Sequence, residues 1–182
     1  MAVRNILKGD EPALKKKSRA VTDFNKRLHI LLDDMRETLI EANGLGLAAT
    51  QVGVLRRAVL VVDLSIETEE AEKQIVEMIN PVIVAKSGTQ TGSEGCLSVP
   101  GVFGIVTRPD LVRVKAADRN GKPFEKWLKG LSARAICHEV DHLEGIVFTS
   151  LAEKILTEEE LEKLRNERDE ADRGEPGGEE AE

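Results

Sequence analysis

The stretch HEVDHLEGIVF, from His138 to Phe148, constrains the fold more than any other part of the chain. Its first five residues fit the pattern H-E-x-x-H, and residues four apart lie about one turn apart on the same face of an α-helix. The sequence therefore predicts a helix over about Leu131–Leu143, ending near Gly145, that directs two imidazoles toward one metal ion. A catalytic metal site usually has three protein ligands and one open position, so a third ligand must come from elsewhere.

The remaining histidine, the two cysteines and a glutamate of the acidic final helix or tail are the residues to consider for this third ligand. Solvated charge is the simpler account of those glutamates. His29 lies on a predicted helix away from other candidate ligands, and we interpret it as an ordinary half-buried or surface residue. Phe148 stands where the metzincin pattern requires a third histidine, and a phenyl ring cannot bind a metal. Cys137 directly precedes His138 and points about 100° away around the helix, so we expect it to fill space in the core.

Cys96 is the candidate that remains. It lies in GSEGCLSVPG, where glycine and proline allow a fixed turn and a close approach of the backbone. Cysteine binds metals as a thiolate, and mixed nitrogen and sulfur ligands are typical of catalytic transition-metal sites. We therefore predict that Cys96, His138 and His142 hold one metal ion.

Hydrophobic periodicity predicts an α+β fold, in which β segments pack around the central metal-binding helix and further helices lie at both ends. Residues Ser87 to Arg108 are too rich in glycine, serine, threonine and proline for any element to be predicted. A helix is predicted from an N-cap at Thr22 to about Asn43, and a last helix from a capping box of Thr157 and Glu160 to about Arg168. Strands are predicted at Ala58–Leu64, Ile75–Lys86 and Ile146–Phe148, and a tight hairpin around Asn120-Gly121.

Length and charge predict a single domain over residues 1–168 followed by an acidic disordered tail at 169–182. The 182-residue chain is long enough to bury one substantial core, and its 41% hydrophobic and 32% charged residues are typical of a globular protein. Residues 158–182 carry twelve acidic against four basic side chains. The end of the tail has too few apolar groups to offset the entropy of ordering.

Composition also argues against several classes of partner. Aromatic residues make up only 3% of the chain, so we expect no base-stacking surface and no DNA partner. No window approaches the roughly 18 apolar residues of a membrane span, and the first twenty residues lack the apolar core of a secretory signal. We therefore expect a cytoplasmic protein whose cysteines stay reduced.

Three segments together resemble the peptide deformylase family: GLGLAATQ (44–51), EGCLS (94–98) and HEVDHLEG (138–145). They match the family patterns G-x-G-x-A-A-x-Q, E-G-C-L-S and H-E-x-D-H-L-x-G in order and approximate spacing, and the likeness runs from about Ile6 to Ala152. The resemblance implies hydrolysis of the N-formyl group from the formyl-methionyl end of newly made polypeptides, with release of formate.

The resemblance also assigns roles to residues beyond the metal ligands. Glu139 would take the proton of the attacking water and pass it to the leaving amine. The side-chain amide of Gln51 and the backbone N–H of Leu97 would stabilise the oxyanion. We further expect an ion pair between Glu94 and Arg108, and a role for Asp141 in orienting a histidine or nearby backbone. The residues expected around the substrate are Gly44, Leu45, Gly46 and Leu131.

Two other readings of the same residues stay open on sequence grounds. In the first, the protein is a thiol hydrolase with Cys96 as the nucleophile and His138 as the base. In the second, the protein is a non-catalytic binding module and the metal ion only stabilises its fold. The family implies Fe²⁺ in the cell, with Zn²⁺, Ni²⁺ or Co²⁺ possible in purified protein. It also implies nascent chains as partners and a transient ribosome contact. The acidic tail would repel RNA, so we do not expect the tail to make this contact, and Lys15–Lys17 is a weak alternative.

Overall fold

The computed structural model of the chain describes residues 2–66 and 74–173. Residues 67–73 of the acidic segment between the strands predicted at 58–64 and 75–86, and residues 174–182 of the predicted tail, lie outside the described residues. The elements within them are the helices α1 (Lys26–Glu41), α2 (Gly130–Leu143) and α3 (Glu158–Arg173), and the strands β1 (Gly46–Ala48), β2 (Ala58–Val62), β3 (Ile75–Ser87), β4 (Gln90–Cys96), β5 (Val99–Arg108), β6 (Leu111–Ala117), β7 (Pro123–Lys129) and β8 (Lys154–Ile155).

The strands form two antiparallel sheets. The larger has the spatial order β1-β2-β3-β6-β7, and the smaller has the order β4-β5-β8. The predicted α+β class is therefore confirmed.

Strand β2 shows why the metal-binding helix is central. Alternate residues of a strand point to opposite faces of its sheet. Ala58 and Leu60 belong to the hydrophobic cluster that contains the apolar face of α1. Val59 and Val61 belong to the cluster that contains the apolar face of α2. The two helices therefore cover opposite faces of the larger sheet. Hydrogen bonds from Arg134 to β4 and β5 place α2 between the two sheets.

Helix α1 begins at Lys26, and its N-cap, Asn25, lies three residues after the predicted N-cap. The side chain of Asn25, and not that of Thr22, accepts hydrogen bonds from the backbone N–H groups of Arg27 at 3.0 Å and Leu28 at 3.2 Å. An asparagine oxygen at this position satisfies N–H groups that have no partner within the helix.

The predicted hairpin around Asn120-Gly121 exists as β6 and β7, but its turn is wider than predicted. Residues 118–122 connect the last pair of the ladder, Ala117 and Pro123. Gly121 has a φ of 83°, whereas Asn120 does not take the positive φ that a tight type I′ turn requires. The Asp118 carboxylate accepts the N–H groups of Asn120 and Lys122 and so stabilises the longer loop.

The C-terminal predictions are partly confirmed and partly wrong. Thr157 and Glu160 do form the capping box, through reciprocal hydrogen bonds of 3.1 and 3.2 Å. Helix α3 extends to Arg173, past the predicted end near Arg168. The predicted strand Ile146–Phe148 is wrong, because Phe148 starts a short 3-10 turn instead.

Candidate active site

Helix α2 presents its two histidines on one face, as the four-residue spacing predicts. Both side chains are buried, and their ring centroids lie 4.8 Å apart with the planes nearly perpendicular. Burial lowers the pKa of His142 to about 3, so this imidazole is neutral at physiological pH. A neutral imidazole is the form that binds a metal ion.

Cys96 reaches these histidines from the end of β4. Its Sγ lies 3.2 Å from Nε2 of His142, and one ligand atom from each of Cys96, His138 and His142 lies within 4.8 Å of the others. The Nδ1 of His142 is buried and has no hydrogen-bond partner among the described residues. Two imidazoles and a thiol that converge in this way have the donor chemistry of a transition-metal site. The structure thus brings together the three residues that the sequence analysis nominated.

Glu94 connects the cysteine strand to the histidine helix. Its Oε2 lies 3.1 Å from Nδ1 of His138, which leaves Nε2 of that ring to face the cysteine. Its Oε1 accepts from Nε of Arg108 at 2.8 Å and from Nη1 of Arg134 at 2.9 Å. Burial by itself would raise the pKa of Glu94, but hydrogen bonds from His138 and Arg108 outweigh burial and lower the pKa to about 2. The carboxylate is therefore ionised and holds the histidine ring in one orientation.

The predicted Glu94–Arg108 ion pair is confirmed, but two neighbours differ from expectation. Asp141 contacts Nη1 of Arg108 at 2.6 Å and does not orient a histidine. Arg134, which the sequence analysis did not single out, contributes a second guanidinium to Glu94. On sequence alone Arg134 is one more charged residue of an amphipathic helix, although its spacing of four from His138 places it on the same face.

Glu139 lies beside the metal-ligand candidates and is almost fully buried. Burial raises the pKa of its carboxyl to about 7, against the opposing influence of His138. Its Oε2 has no hydrogen-bond partner among the residues that the structure describes. A Cβ at Gly46 would lie 2.5 Å from Oε1 of Glu139, so only glycine lets β1 pass this close to the carboxyl.

The Gln51 side chain is held by both of its polar ends. Its Oε1 accepts the backbone N–H of Ala48 at 2.8 Å. Its Nε2 donates to Oγ of Ser98 at 3.2 Å and to Sγ of Cys96 at 3.6 Å. The amide nitrogen is therefore fixed beside the cysteine.

A cavity of about 710 Å³ opens next to these groups. The four residues that we expected around the substrate all line it, as do Gln51, Leu97 and Glu139. Leu45 and Leu131 are 42% and 38% exposed, so they stand at its mouth. Ala135 and the segment 99–103 also form part of the wall and were not predicted from the sequence. These residues carry no motif that marks them without the fold.

His29 and Cys137, which we did not expect to be metal ligands, lie away from the three converging side chains. His29 is on α1, where its Nε2 lies 2.8 Å from the backbone oxygen of Arg119. Cys137 is buried in the hydrophobic cluster between α2 and the larger sheet.

A buried carboxyl beside one thiol and two imidazoles that converge at one cavity is the arrangement expected of a metal-dependent hydrolase. The comparisons with known proteins narrow this class to one family. The family model of polypeptide deformylases matches residues 3–157. A peptide deformylase of Caldicellulosiruptor bescii is 48% identical over 94% of this chain and 99% of its own length. The chain belongs to the polypeptide deformylase family.

Solved structures agree with this assignment. The crystal structure of a peptide deformylase from Legionella pneumophila is 36% identical, with a TM-score of 0.76 over 96% of this chain and all of that chain. A class I type b peptide deformylase from Acinetobacter baumannii, crystallised with Met-Ala-Ser bound, is 35% identical, with a TM-score of 0.75 over 82% of this chain and 98% of that chain.

The activity follows from this membership. The protein is a metal-dependent hydrolase that removes the N-formyl group from the N-terminal formyl-methionine of newly made polypeptides and releases formate. Within the described part of the chain, no helix is long and apolar enough to cross a membrane.

Proposed function

We propose that Cys96, His138 and His142 hold the metal ion of this deformylase and that Glu139 moves the proton of the reaction. The observation that carries the proposal is the convergence of the three ligand atoms within 4.8 Å of one another. The buried carboxyl of Glu139 supports the second part, because its pKa of about 7 lets it both accept and release a proton near neutral pH.

The reaction needs a nucleophile, a proton carrier and a place for developing negative charge. A bound divalent metal lowers the pKa of a water molecule from about 15.7 to about 7 and so supplies a nucleophile at neutral pH. Glu139 accepts the proton that the nucleophile loses and donates it to the amine when the C–N bond of the formamide breaks. Formate leaves, and the polypeptide keeps a free amino group.

The negative charge develops on the formyl oxygen, and two donors are available for it. Nε2 of Gln51 is already fixed beside Cys96, and the backbone N–H of Leu97 follows Cys96 in the chain. Donors that are oriented in advance stabilise an oxyanion without reorganisation, and loss of one typically costs about 100-fold to 1,000-fold in turnover.

The methionine side chain of the substrate enters the 710 Å³ cavity. Leu45 and Leu131 give its mouth an apolar surface, and Gly44 and Gly46 line the wall beside them. The Acinetobacter baumannii relative was crystallised with Met-Ala-Ser bound, which supports a site for the N-terminal residues of a peptide.

A pair of glutamate variants tests the assignment of Glu139. Glu139→Gln keeps the size of the side chain but cannot accept a proton, so formate release should fall about 100-fold to 10,000-fold. Metal content, measured by elemental analysis, should stay near one ion per chain. Glu162→Gln, on the exposed last helix, is the control and should behave as wild type. Normal turnover of Glu139→Gln would remove Glu139 from the mechanism.

Chelation separates the metal site from the thiol hydrolase reading. Complete removal of metal with phenanthroline should abolish formate release, and added metal should restore it. Activity that survives in metal-free protein would instead favour Cys96 as the nucleophile.

The metal in the cell is proposed to be Fe²⁺, with Zn²⁺, Ni²⁺ or Co²⁺ accepted by purified protein. A thiolate and two imidazoles suit all four ions, so the ligand set does not choose among them. Anaerobic purification followed by elemental analysis and a formate-release assay should find iron and the highest activity. Anaerobic protein with full zinc occupancy and full activity would contradict iron.

We further propose one cytoplasmic catalytic domain over residues 1–168 that contacts ribosomes only transiently. The family match over residues 3–157 supports the domain bounds. Lys15 and Lys17 pair with Asp10 and Glu144, which offsets part of the positive charge that the lysine run offers to RNA. Ribosome pelleting at low and at physiological salt should find weak, salt-sensitive binding that is unchanged when residues after 168 are deleted. Tight, salt-resistant binding would contradict a transient contact.

A further inference from the structure

Arg134 joins the helix of the two histidines to the strand of the cysteine. Residues 134, 138 and 142 of α2 follow each other at intervals of four and so lie along one face of the helix. Arg134 is 7% exposed, and a buried guanidinium at this depth needs a full set of acceptors.

The acceptors of Arg134 belong to both strands of the β4–β5 hairpin. Nη2 donates to the backbone oxygen of Gln90 at 3.1 Å. Nη1 donates to the backbone oxygen of Val106 at 3.0 Å and to Oε1 of Glu94 at 2.9 Å. One planar side chain therefore spans two strands and a carboxylate, which the single ammonium of a lysine cannot do.

Two of these contacts are made to β4, the strand that ends at Cys96. Gln90, Glu94 and Cys96 are separated by even numbers of residues along β4, so they lie on the same side of the strand. The other oxygen of Glu94 meets Nδ1 of His138. Arg134 therefore fixes the strand that carries the thiol relative to the helix that carries the imidazoles, and fixes the carboxylate that orients one of them.

We infer that Arg134 is a positioning residue that sets the spacing and orientation of Cys96 and His138 at the metal site. The inference rests on the proposed metal ligands. Arg134 also lines the cavity, so a mere pocket role is the alternative. A pocket role would change KM alone, whereas a positioning role changes the affinity for the metal itself and the geometry of its ligands.

The test measures metal binding directly. Metal-free wild-type protein, Arg134→Met and Arg134→Lys are titrated with Co²⁺ against a competing chelator, and the Co²⁺ absorption spectrum is recorded. Arg134→Met keeps the apolar stem and should bind Co²⁺ about 10-fold to 100-fold more weakly, with an altered spectrum, because partners that orient metal ligands typically contribute this much. Arg134→Lys should restore only part of the affinity, since it keeps the charge but not the span.

Arg36→Met is the matched control, because Arg36 is a helix residue that pairs with the strand residue Glu77 at 2.8 Å, away from the site. It should lose stability in urea but keep wild-type Co²⁺ affinity and spectrum. Wild-type affinity and spectrum in folded Arg134→Met, or full recovery in Arg134→Lys, would overturn the inference. If circular dichroism shows that Arg134→Met does not fold, the Co²⁺ affinity of Arg134→Lys alone tests the inference. Failure of the wild type to bind Co²⁺, or unchanged binding in Cys96→Ala, would instead overturn the proposed ligands.

Discussion

Among the described residues, Glu94 and Glu77 are carboxylates of low exposure that each bind two arginines, and only Glu94 lies at the candidate site. Glu94 on β4 binds Arg108 and Arg134. Glu77 on β3 binds Arg36 and Arg119. Both join a strand to a helix, and both have a lowered pKa.

The difference between the two clusters is a third donor. Glu94 also meets Nδ1 of His138, whereas the Glu77 cluster continues through Arg119 to Asp33 on α1. The same combination of a buried carboxylate and two guanidiniums therefore serves packing alone in one place and orients a proposed metal ligand in the other. Burial and ion pairing do not reveal function until the next partner is known.

The largest effect is expected for Glu94→Gln. The change leaves two buried arginines without their carboxylate, which should lower the free energy of unfolding by about 3–5 kcal/mol. It also replaces the ionised acceptor of His138 with a neutral amide, so Co²⁺ affinity should fall, by up to about 10-fold to 100-fold. Urea denaturation and chelator competition measure the two effects. Loss of stability with unchanged metal affinity would make the two clusters equivalent.

Glu77→Gln should separate stability from metal binding. Its side chain is 10% exposed, but its arginine partners are 25% and 30% exposed, so the loss of unfolding free energy should be smaller, about 1–3 kcal/mol. Co²⁺ affinity and formate release at a temperature where the variant is folded should match the wild type. A clear decrease in metal affinity would show that the Glu77 cluster also acts on the site.

Acid should weaken the Glu77 cluster in a defined direction. Burial would raise the pKa of Glu77, but hydrogen bonds from Arg119 and Arg36 outweigh burial and lower it. A lowered pKa contributes stability that is present above the unfolded pKa of about 4.3 and is lost as pH falls through the folded value. From about pH 5 to about pH 3, urea denaturation should show a smaller loss of unfolding free energy in Glu77→Gln than in wild type. Equal losses would mean that Glu77 titrates alike in both states.

The smallest effect is expected for the exposed pair between Lys115 and Glu125 on neighbouring strands. The two side chains lie 3.1 Å apart and are 56% and 43% exposed. Exposed pairs contribute about 0.2–1 kcal/mol, so Glu125→Gln should change the urea midpoint only slightly and leave metal affinity unchanged. A loss as large as that of Glu77→Gln would contradict the importance of burial in the comparison.

Short-range patterns in the sequence predicted the elements that depend on neighbouring residues. The spacing of His138 and His142 fixed their common helix face, and Thr157 with Glu160 fixed the start of α3. The β6–β7 hairpin followed from alternation. Its turn did not, because the Asp118 side chain stabilises a longer loop than Asn-Gly usually forms.

The β4–β5 hairpin could not be predicted, although it carries Cys96. Its residues lack the alternation of apolar and polar side chains, so no local pattern marks them as strands. They are held by pairing over the length of the hairpin, from Gln90 with Arg108 to Cys96 with Val99, and by the hydrogen bonds of Arg134. The hydrogen bonds of Arg134 join residues 28 and 44 apart in the chain, so no local pattern indicates them.

By itself, the sequence determined the proposed ligand types, the helix face of the histidines and the three motifs that mark the family. These depend on residue chemistry and on periodicity over a few residues. Only the tertiary structure decided that Arg134 faces Glu94, that Asp141 meets Arg108, and that Gly46 lets β1 pass close to Glu139. The physical reason is that burial and hydrogen-bond partners are set by long-range packing, and the same arginine is an ordinary surface charge or a cross-link between two elements according to what packs against it.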